Sequence, residues 1–391
     1  MVPIKIAIYS GEIPSTTFID RLVAGMAQTG YRIYLFGTLK KKKKYGKNVL
    51  IVGYANRFQK LVQYLYFAVL LLLFQNKDKK KLDRLLLQHG NDSFRYKVKY
   101  YPVLYYRPDI FHLQWAKGVG DWMWVQEFGM KFIVSLRGAH INYSPIADEQ
   151  LRKRYAHCFP QVDGFHAVSK AIAFEAEKYN ASLAKIKVVY SGLSMSNLDF
   201  ENHSIINNPL KVVSIGRSHW KKGYSYALDG LKILQSQSFN FDYSIIGIGT
   251  DEELLLQRSQ LGLEEKVRFV APMPFEAVLA ALREADVLLL PSVEEGIANV
   301  VLEAMALGTV VIATDCGGMK EVLTDGANGF LVPVRNPLAL AEALQKVTAL
   351  TVTDYQKLSY AARKTIEQQH SHAQMIAGMK TLYESVLNER S

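Results

Sequence analysis

Short apolar runs alternate with stretches of helical periodicity along this chain, and the alternation happens twice. Residues 4–10 (IKIAIYS) read as a buried strand, and 16–30 as a helix with Phe18, Leu22, Val23 and Met26 on one stripe and Gly30 as its stop. Strand-like runs recur at 32–38, 109–115, 131–138, 164–169 and 186–192. A polar, turn-rich break without periodicity follows at 197–210. The pattern then restarts at 210–217 and continues at 241–249, 266–272, 285–292, 309–314 and 329–333. Strand–helix alternation of this kind specifies a parallel, doubly wound sheet. At 391 residues the chain is also too long for one ordinary core. The expectation is an α/β protein of two Rossmann-like domains, 1–196 and 211–365, joined by a linker at 197–210. The C-terminal helix, 366–391, is expected to pack back on the first domain. Ligands of such sheets sit beyond the carboxyl ends of the strands, so two domains facing a central cleft can share one site.

Composition narrows the class. About half the residues are apolar, and there is no low-complexity tract. Cys158 and Cys316 are the only cysteines, which argues against a disulfide scaffold and suits a reducing compartment. The opening MVPIKIAIYSG has neither the basic start nor the long apolar region of a signal peptide. A cytoplasmic protein is expected, free or peripheral on the cytoplasmic face of a membrane. The net charge of +11 is uneven: residues 1–100 hold 19 Lys and Arg against 5 Asp and Glu, and the remainder holds 28 against 31. Such asymmetry points to an anionic partner for one end of the molecule.

The stretch VEEGIANVVLEAMALG (293–308) follows a buried strand and has helical spacing from Asn299, with Gly308 as the stop. Free N–H groups at Ala298, Asn299 and Val300 would form an anion site. Glu295 precedes that helix start and Glu303 follows it; carboxylates repel phosphate but accept hydrogen bonds from hydroxyls. A ligand that satisfies both features carries a diphosphate between two hydroxylated groups, as a nucleotide diphosphate sugar does. The alternative is that both glutamates are solvated surface residues. In SIGRSHWKKGY (214–224), Gly216 and Arg217 end a strand and Lys222 precedes a glycine, which suits a diphosphate cradle; the alternative is an exposed basic loop. Gly317 and Gly318 are suited to close approach of backbone to a ligand, or simply to a turn.

These segments, from GRSHWKKG through IIGIGTDEELL and VRFVAP to ADVLLLPSVEEGIANVVLEAMALGTVVIATDCGGMKEVLTDGANGFLVP, resemble the donor domain of the family 4 retaining glycosyltransferases. The first half agrees in PSTTFIDRLVAGMAQTGYRIYLFG, HAVSKAI and KIKVVYSGLS. The resemblance implies the GT-B fold and sugar transfer from a nucleotide donor, UDP- or GDP-linked, with retention and without a divalent metal or other cofactor. It implies that Arg217 and Lys222 hold the diphosphate, Glu303 the ribose and Glu295 the donor sugar. Backbone from Ile297 to Val300 would meet the distal phosphate, and backbone near Met273 the base. Two places depart from the family. The first loop, where a glycine pair is usual, reads SGEIPS and offers only Gly11. In RGAH, Arg137 replaces the usual histidine and His140 falls where an acid is expected. Arg137 is a candidate for an acceptor phosphate or the donor, or else a structural ion pair; His140 is a candidate sugar ligand or a satisfied loop histidine.

The basic excess clusters at Lys40–Lys44 and at 77–81, on either side of the apolar stretch 61–74. Fourteen residues fall short of the ~20 that span a bilayer, and flanking lysines suit an interfacial helix on anionic lipid. The alternative is a buried core helix between solvated lysine loops. No nucleic-acid-binding motif accompanies the charge. A glycan or lipid-linked acceptor in cell-surface polysaccharide or glycolipid synthesis is the expected partner. A GT-B nucleotide-sugar epimerase and a non-catalytic nucleotide-sugar-binding protein are the competing classes.

Overall fold

A computed structural model describes residues 3–201 and 206–388, in two units. Unit 1 comprises the chain up to 168, 172–192 and everything from 372 onward; unit 2 comprises 169–171 and 193–371. Part of the expected linker, 202–205, lies outside the described residues.

Unit 1 is built on seven strands: β1 (Lys5–Ile13), β2 (Arg32–Leu39), β3 (Val49–Tyr54), β4 (Ile110–Leu113), β5 (Lys131–Leu136), β6 (Gly164–Ala167) and β7 (Ile186–Val188). All pairings are parallel, in the order β3-β2-β1-β4-β5-β6-β7. Successive side chains of a strand point to opposite faces. Accordingly Ile6, Ile8, Ile33 and Leu35 join one core while Ala7, Tyr34 and Phe36 join another. Both faces are covered, which is why these strands read as continuous apolar runs. The first core also receives helix α1 (Thr17–Gln28) and the C-terminal helix His372–Asn388, through Met375, Ile376, Met379 and Leu382. The second takes in helices α2 (Arg57–Phe74), α3 (Asn76–Gln88) and α4 (Phe94–Tyr106).

A buried hydrogen-bond chain ties the C-terminal helix to this sheet. Tyr383 Oη lies 2.8 Å from His112 Nδ1, His112 Nε2 2.8 Å from Ser135 Oγ, Ser135 Oγ 3.0 Å from His166 Nδ1, and His166 Nε2 3.0 Å from the Val189 carbonyl. The carbonyl can only accept, so His166 donates from Nε2. With both imidazoles neutral, every other role follows in turn: Ser135 donates to His166, His112 donates to Ser135, and Tyr383 donates to His112. Burial holds both well below the ordinary histidine value, His166 at about 3.

Two features of unit 1 differ from the sequence expectation. Strand β3 was not anticipated, because it follows the lysine run directly and only Val52 of its residues is fully buried. The segment SGEI is not a loop: β1 runs on to Ile13, and Gly11 sits inside it at a bulge, in the left-handed region (φ +87°).

Unit 2 holds β8 (Leu210–Ile215), β9 (Phe241–Ile246), β10 (Val267–Val270), β11 (Val287–Leu290), β12 (Val310–Thr314) and β13 (Phe330–Val332), all parallel. Their order is β10-β9-β8-β11-β12-β13. Val287 and Leu289 enter one core, Leu288 and Leu290 the other. The order of connection reverses between β8 and β11. That switch point leaves a crevice at the carboxyl edge, because the helices after the two strands go to opposite faces. The loops carrying Arg217, Lys222 and Glu295 leave the sheet there.

Candidate active site

The loop after β8 closes in a single 3-10 turn, Trp220–Lys222, and that turn ends at Gly223 with φ +66°. A side chain at Gly223 would stand 2.0 Å from the Pro291 carbonyl, so glycine lets this turn lie directly against the end of β11. The Val293 N–H donates to the Lys221 carbonyl at 2.7 Å and joins the two loops. On this seam Lys222 Nζ donates to Glu295 Oε1 at 2.6 Å, and Lys221 Nζ to Glu295 Oε2 at 3.3 Å. Ser292 Oγ adds a longer contact to Oε1 at 3.4 Å.

Glu295 is 8% exposed, as is Glu303, so neither is a solvated surface residue. Burial by itself would raise the Glu295 pKa; the charges of Lys222 and then Lys221, with their hydrogen bonds, override it and hold the carboxyl below its ordinary value. Glu295 is therefore ionised at neutral pH and offers only acceptor oxygens. Around it, Arg217 is exposed on the same loop as the lysines. Its charge, with those of Lys221 and Lys222, adds to partial burial in lowering the His219 pKa. The structure thus brings Lys222 and Glu295 into contact, with Arg217 exposed on the same loop as Lys222.

Helix Asn299–Leu307 starts beyond Glu295. Its N-cap, Ala298, has no side chain to bond the first N–H groups, so they remain available to an anion. Glu303 lies one turn further on and is buried in the helix. Met273, in the loop after β10, and Ile297 pack on the core that holds Ala298 and Val300. Gly216 lies beneath Lys222, whose Cε would be 3.0 Å from a side chain there.

Gly317 and Gly318 lie against the backbone of the Glu295 loop. A Cβ on Gly317 (φ +52°) would lie 1.7 Å from the Glu295 carbonyl, and Gly318 N–H donates to the Gly296 carbonyl at 2.7 Å. The glycine pair seats the Glu295 loop. Lys221 was missed by sequence reasoning, since two adjacent lysines give no sign that both turn toward one carboxylate. Cys316 is buried nearby, and burial pushes its thiol up to about 12.

In unit 1, Arg137 leaves the end of β5, donates from Nη2 to Gln114 Oε1 at 2.9 Å and stacks over the Phe18 ring at 4.3 Å. Among the described residues it forms no ion pair, so the structural ion-pair reading is not what the fold contains. Burial pulls it down to about 9, opposed by Tyr383, and it stays cationic at neutral pH. His140 lies in the short helix Ala139–Asn142 rather than a loop, with Nδ1 buried and unpartnered. Burial, then Lys117 and Arg137, pull it to about 4, so it is neutral. Gly11 borders a cavity of about 190 Å³ with Tyr9, Glu12, Tyr54 and Lys99.

Residues 196–365 match the family of glycosyl transferases group 1. The matched region contains the whole Lys221–Lys222–Glu295 cluster and the helix behind it. The amylovoran biosynthesis glycosyltransferase AmsK of Erwinia amylovora is 30% identical over 244 residues, 61% of this chain and 60% of its own. The putative colanic acid biosynthesis glycosyltransferase WcaL of Escherichia coli K12 is 31% identical over 220 residues, 54% of each chain. The chain therefore spans between half and three fifths of these curated relatives. Among solved structures, a glycosyltransferase from Rickettsia africae superposes with a TM-score of 0.71 at 16% identity over 100% of both chains. Anabaena HepE in complex with UDP-glucose gives 0.72 at 15% identity, covering 97% of this chain and 99% of its own. The two parallel-sheet α/β units are thus those of the GT-B glycosyltransferase fold.

Proposed function

We propose that this protein is a retaining, metal-independent hexosyltransferase. It would move a sugar from a UDP- or GDP-sugar to a glycan or lipid-linked acceptor in cell-surface polysaccharide or glycolipid synthesis. The observation that carries the reading is the buried Glu295 carboxylate held by Lys222 and Lys221 beside an uncapped helix start, at the switch point of a group 1 glycosyl transferase region. Polysaccharide-synthesising relatives and a neighbour that binds UDP-glucose support the substrate class.

Breaking the anomeric bond builds negative charge on the leaving diphosphate and positive charge on the sugar ring. Arg217, Lys222, Lys221 and the helix N–H groups are donors toward the first. Glu295, ionised and preoriented by the lysines, accepts from sugar hydroxyls, and Glu303 from the ribose. When a diphosphate draws the lysines toward itself, the carboxylate oxygens they release become available to the sugar, which couples phosphate binding to sugar binding. With retention, the acceptor attacks on the leaving-group face and the departing phosphate oxygen takes its proton, so no protein base is required. Arg137, cationic and without a carboxylate partner, is suited to an acceptor phosphate.

The test is release of nucleoside diphosphate from a panel of UDP- and GDP-sugars. Lys222→Ala should lower turnover about 10²–10³-fold, the usual cost of removing one such donor. Turnover that survives this change would remove the proposed role of the cradle. Binding without any release would assign a non-catalytic nucleotide-sugar-binding protein, and sugar isomerisation without transfer an epimerase.

A further inference from the structure

Helix α2 is the one described helix long and apolar enough, by length and composition, to cross a membrane, and little of it is buried. Phe67 and Leu71 enter the unit 1 core, and Tyr64, Ala68 and Leu70 pack against it. The opposite side carries Phe58, Leu61, Leu65, Val69 and Leu72, exposed by 47–74%. They recur at helical spacing from Phe58 to Leu72, about 22 Å of continuous apolar ridge. A ridge of this extent marks an interaction surface. The buried-core alternative for this segment is thereby excluded.

Charge identifies the occupant. Residues 57–74 contain no acid, and Arg57 and Lys60 stand at the helix start. Beyond Gln75, α3 presents Lys77, Lys80 and Arg84. The nearby acids are already engaged: Asp78 by Arg107 at 3.1 Å, Asp83 by Lys79 at 2.8 Å and Asp92 by Lys97 at 2.5 Å. Among the described residues none of Arg57, Lys60, Lys77, Lys80 or Arg84 has an ion pair. Of the lysine run, Lys40 and Lys43 are paired with Glu12 and Asp20, whereas the cations of α2 and α3 stand on the ridge helix and the one that follows it. An apolar ridge with cations at both ends fits an anionic bilayer surface. A second copy of the same face would set like charges together.

Nor does α2 cross the bilayer. Gln63 and Gln75 donate from their side-chain amides to the Val98 and Tyr105 carbonyls of α4, at 3.3 and 3.1 Å, and Phe67 and Leu71 stay in the core. One face is fixed to the domain, so the helix lies along its surface. We propose that α2 is a peripheral membrane-docking helix that seats unit 1 on anionic lipid, with the cations of α2 and α3 in the headgroup layer.

Flotation with phosphatidylcholine vesicles, with and without phosphatidylglycerol, tests this on the full chain. Binding should require the anionic lipid and weaken between about 50 mM and about 500 mM salt. Each of Lys77→Gln and Lys80→Gln should lower partitioning about fivefold. Leu65→Glu with Leu72→Glu should abolish it, leaving the thermal transition and nucleotide-sugar binding unchanged, because both side chains are exposed. Should that pair prevent folding, the lysine variants decide alone. No flotation, or flotation indifferent to both sets of substitutions, overturns the proposal. A concentration-dependent dimer lost in the Leu65→Glu variant does so as well, and assigns the ridge to self-association. Loss of flotation with intact donor turnover separates this inference from the proposed transferase activity.

Discussion

Lys222→Ala is the most informative perturbation, because the structure attaches two separable costs to it. Lys222 Nζ is the nearer of two cations on Glu295, 2.6 Å against 3.3 Å for Lys221, and all three side chains are at most 14% exposed. Removing one partner of a buried pair costs about 3–5 kcal/mol when the remaining charge is left alone. Here Lys221 remains, so about 2 kcal/mol is expected. For a unit of this size, that lowers the melting temperature by about 4–8 °C. Adding Glu295→Gln removes the stranded carboxylate, so the double variant should recover most of the lost stability while staying inactive. The double-mutant cycle, measured by denaturant unfolding at neutral pH, should give a coupling of about 1–3 kcal/mol.

The sign of the pH dependence is also determined. The Glu295 pKa is lowered in the folded state, so its ionic stabilisation is present above the ordinary carboxylate value. It disappears as pH falls through the lowered folded value. The stability gap between wild type and Lys222→Ala should therefore narrow as the medium is acidified below about pH 4.5. A gap that stays constant across this range, or a cycle with no coupling at neutral pH, would show that Lys222 and Glu295 are not paired as described and would sink the argument.

Two further outcomes follow from the same seam. Gly317→Ala places a methyl group 1.7 Å from the Glu295 carbonyl at a φ of +52°, so it should displace the Glu295 loop, cost about 2 kcal/mol or more, and cut donor turnover at least about tenfold; wild-type stability and turnover in this variant would refute the seating role. Cys316, buried and with its thiol pushed up to about 12, should resist alkylation at pH 8 in the native state and react on unfolding; mass spectrometry showing rapid native labelling would contradict its burial against the seam.

How far the sequence reading reached depended on which physical signal each residue left. Twelve of the thirteen described strands were legible as apolar runs; β3, an edge strand of mostly part-buried residues a few positions after the lysine run, was not. The Glu295 loop and the helix start at Asn299 were legible because helix starts have a spacing signature. The purpose of Gly317 and Gly318 was not, since a glycine reports that something comes close without saying what. Gly11 misled for a related reason: a bulge inside β1 uses the same residue type as a loop.

Local periodicity, turn chemistry and the sign of the charge on the first hundred residues were determined by the sequence alone, because each depends on neighbours within a turn or two. The pairing of β8 with β11, which brings residues 73 and 74 positions apart onto one carboxylate, was decided by tertiary structure. So was the fate of α2. Its composition suits a core helix or a surface one equally, and only the packing of Phe67 and Leu71 against unit 1 leaves the other side as an uncovered ridge. Which residues meet across a sheet, and which face of a helix finds a partner, depend on chain segments far apart in sequence, and no local pattern encodes them.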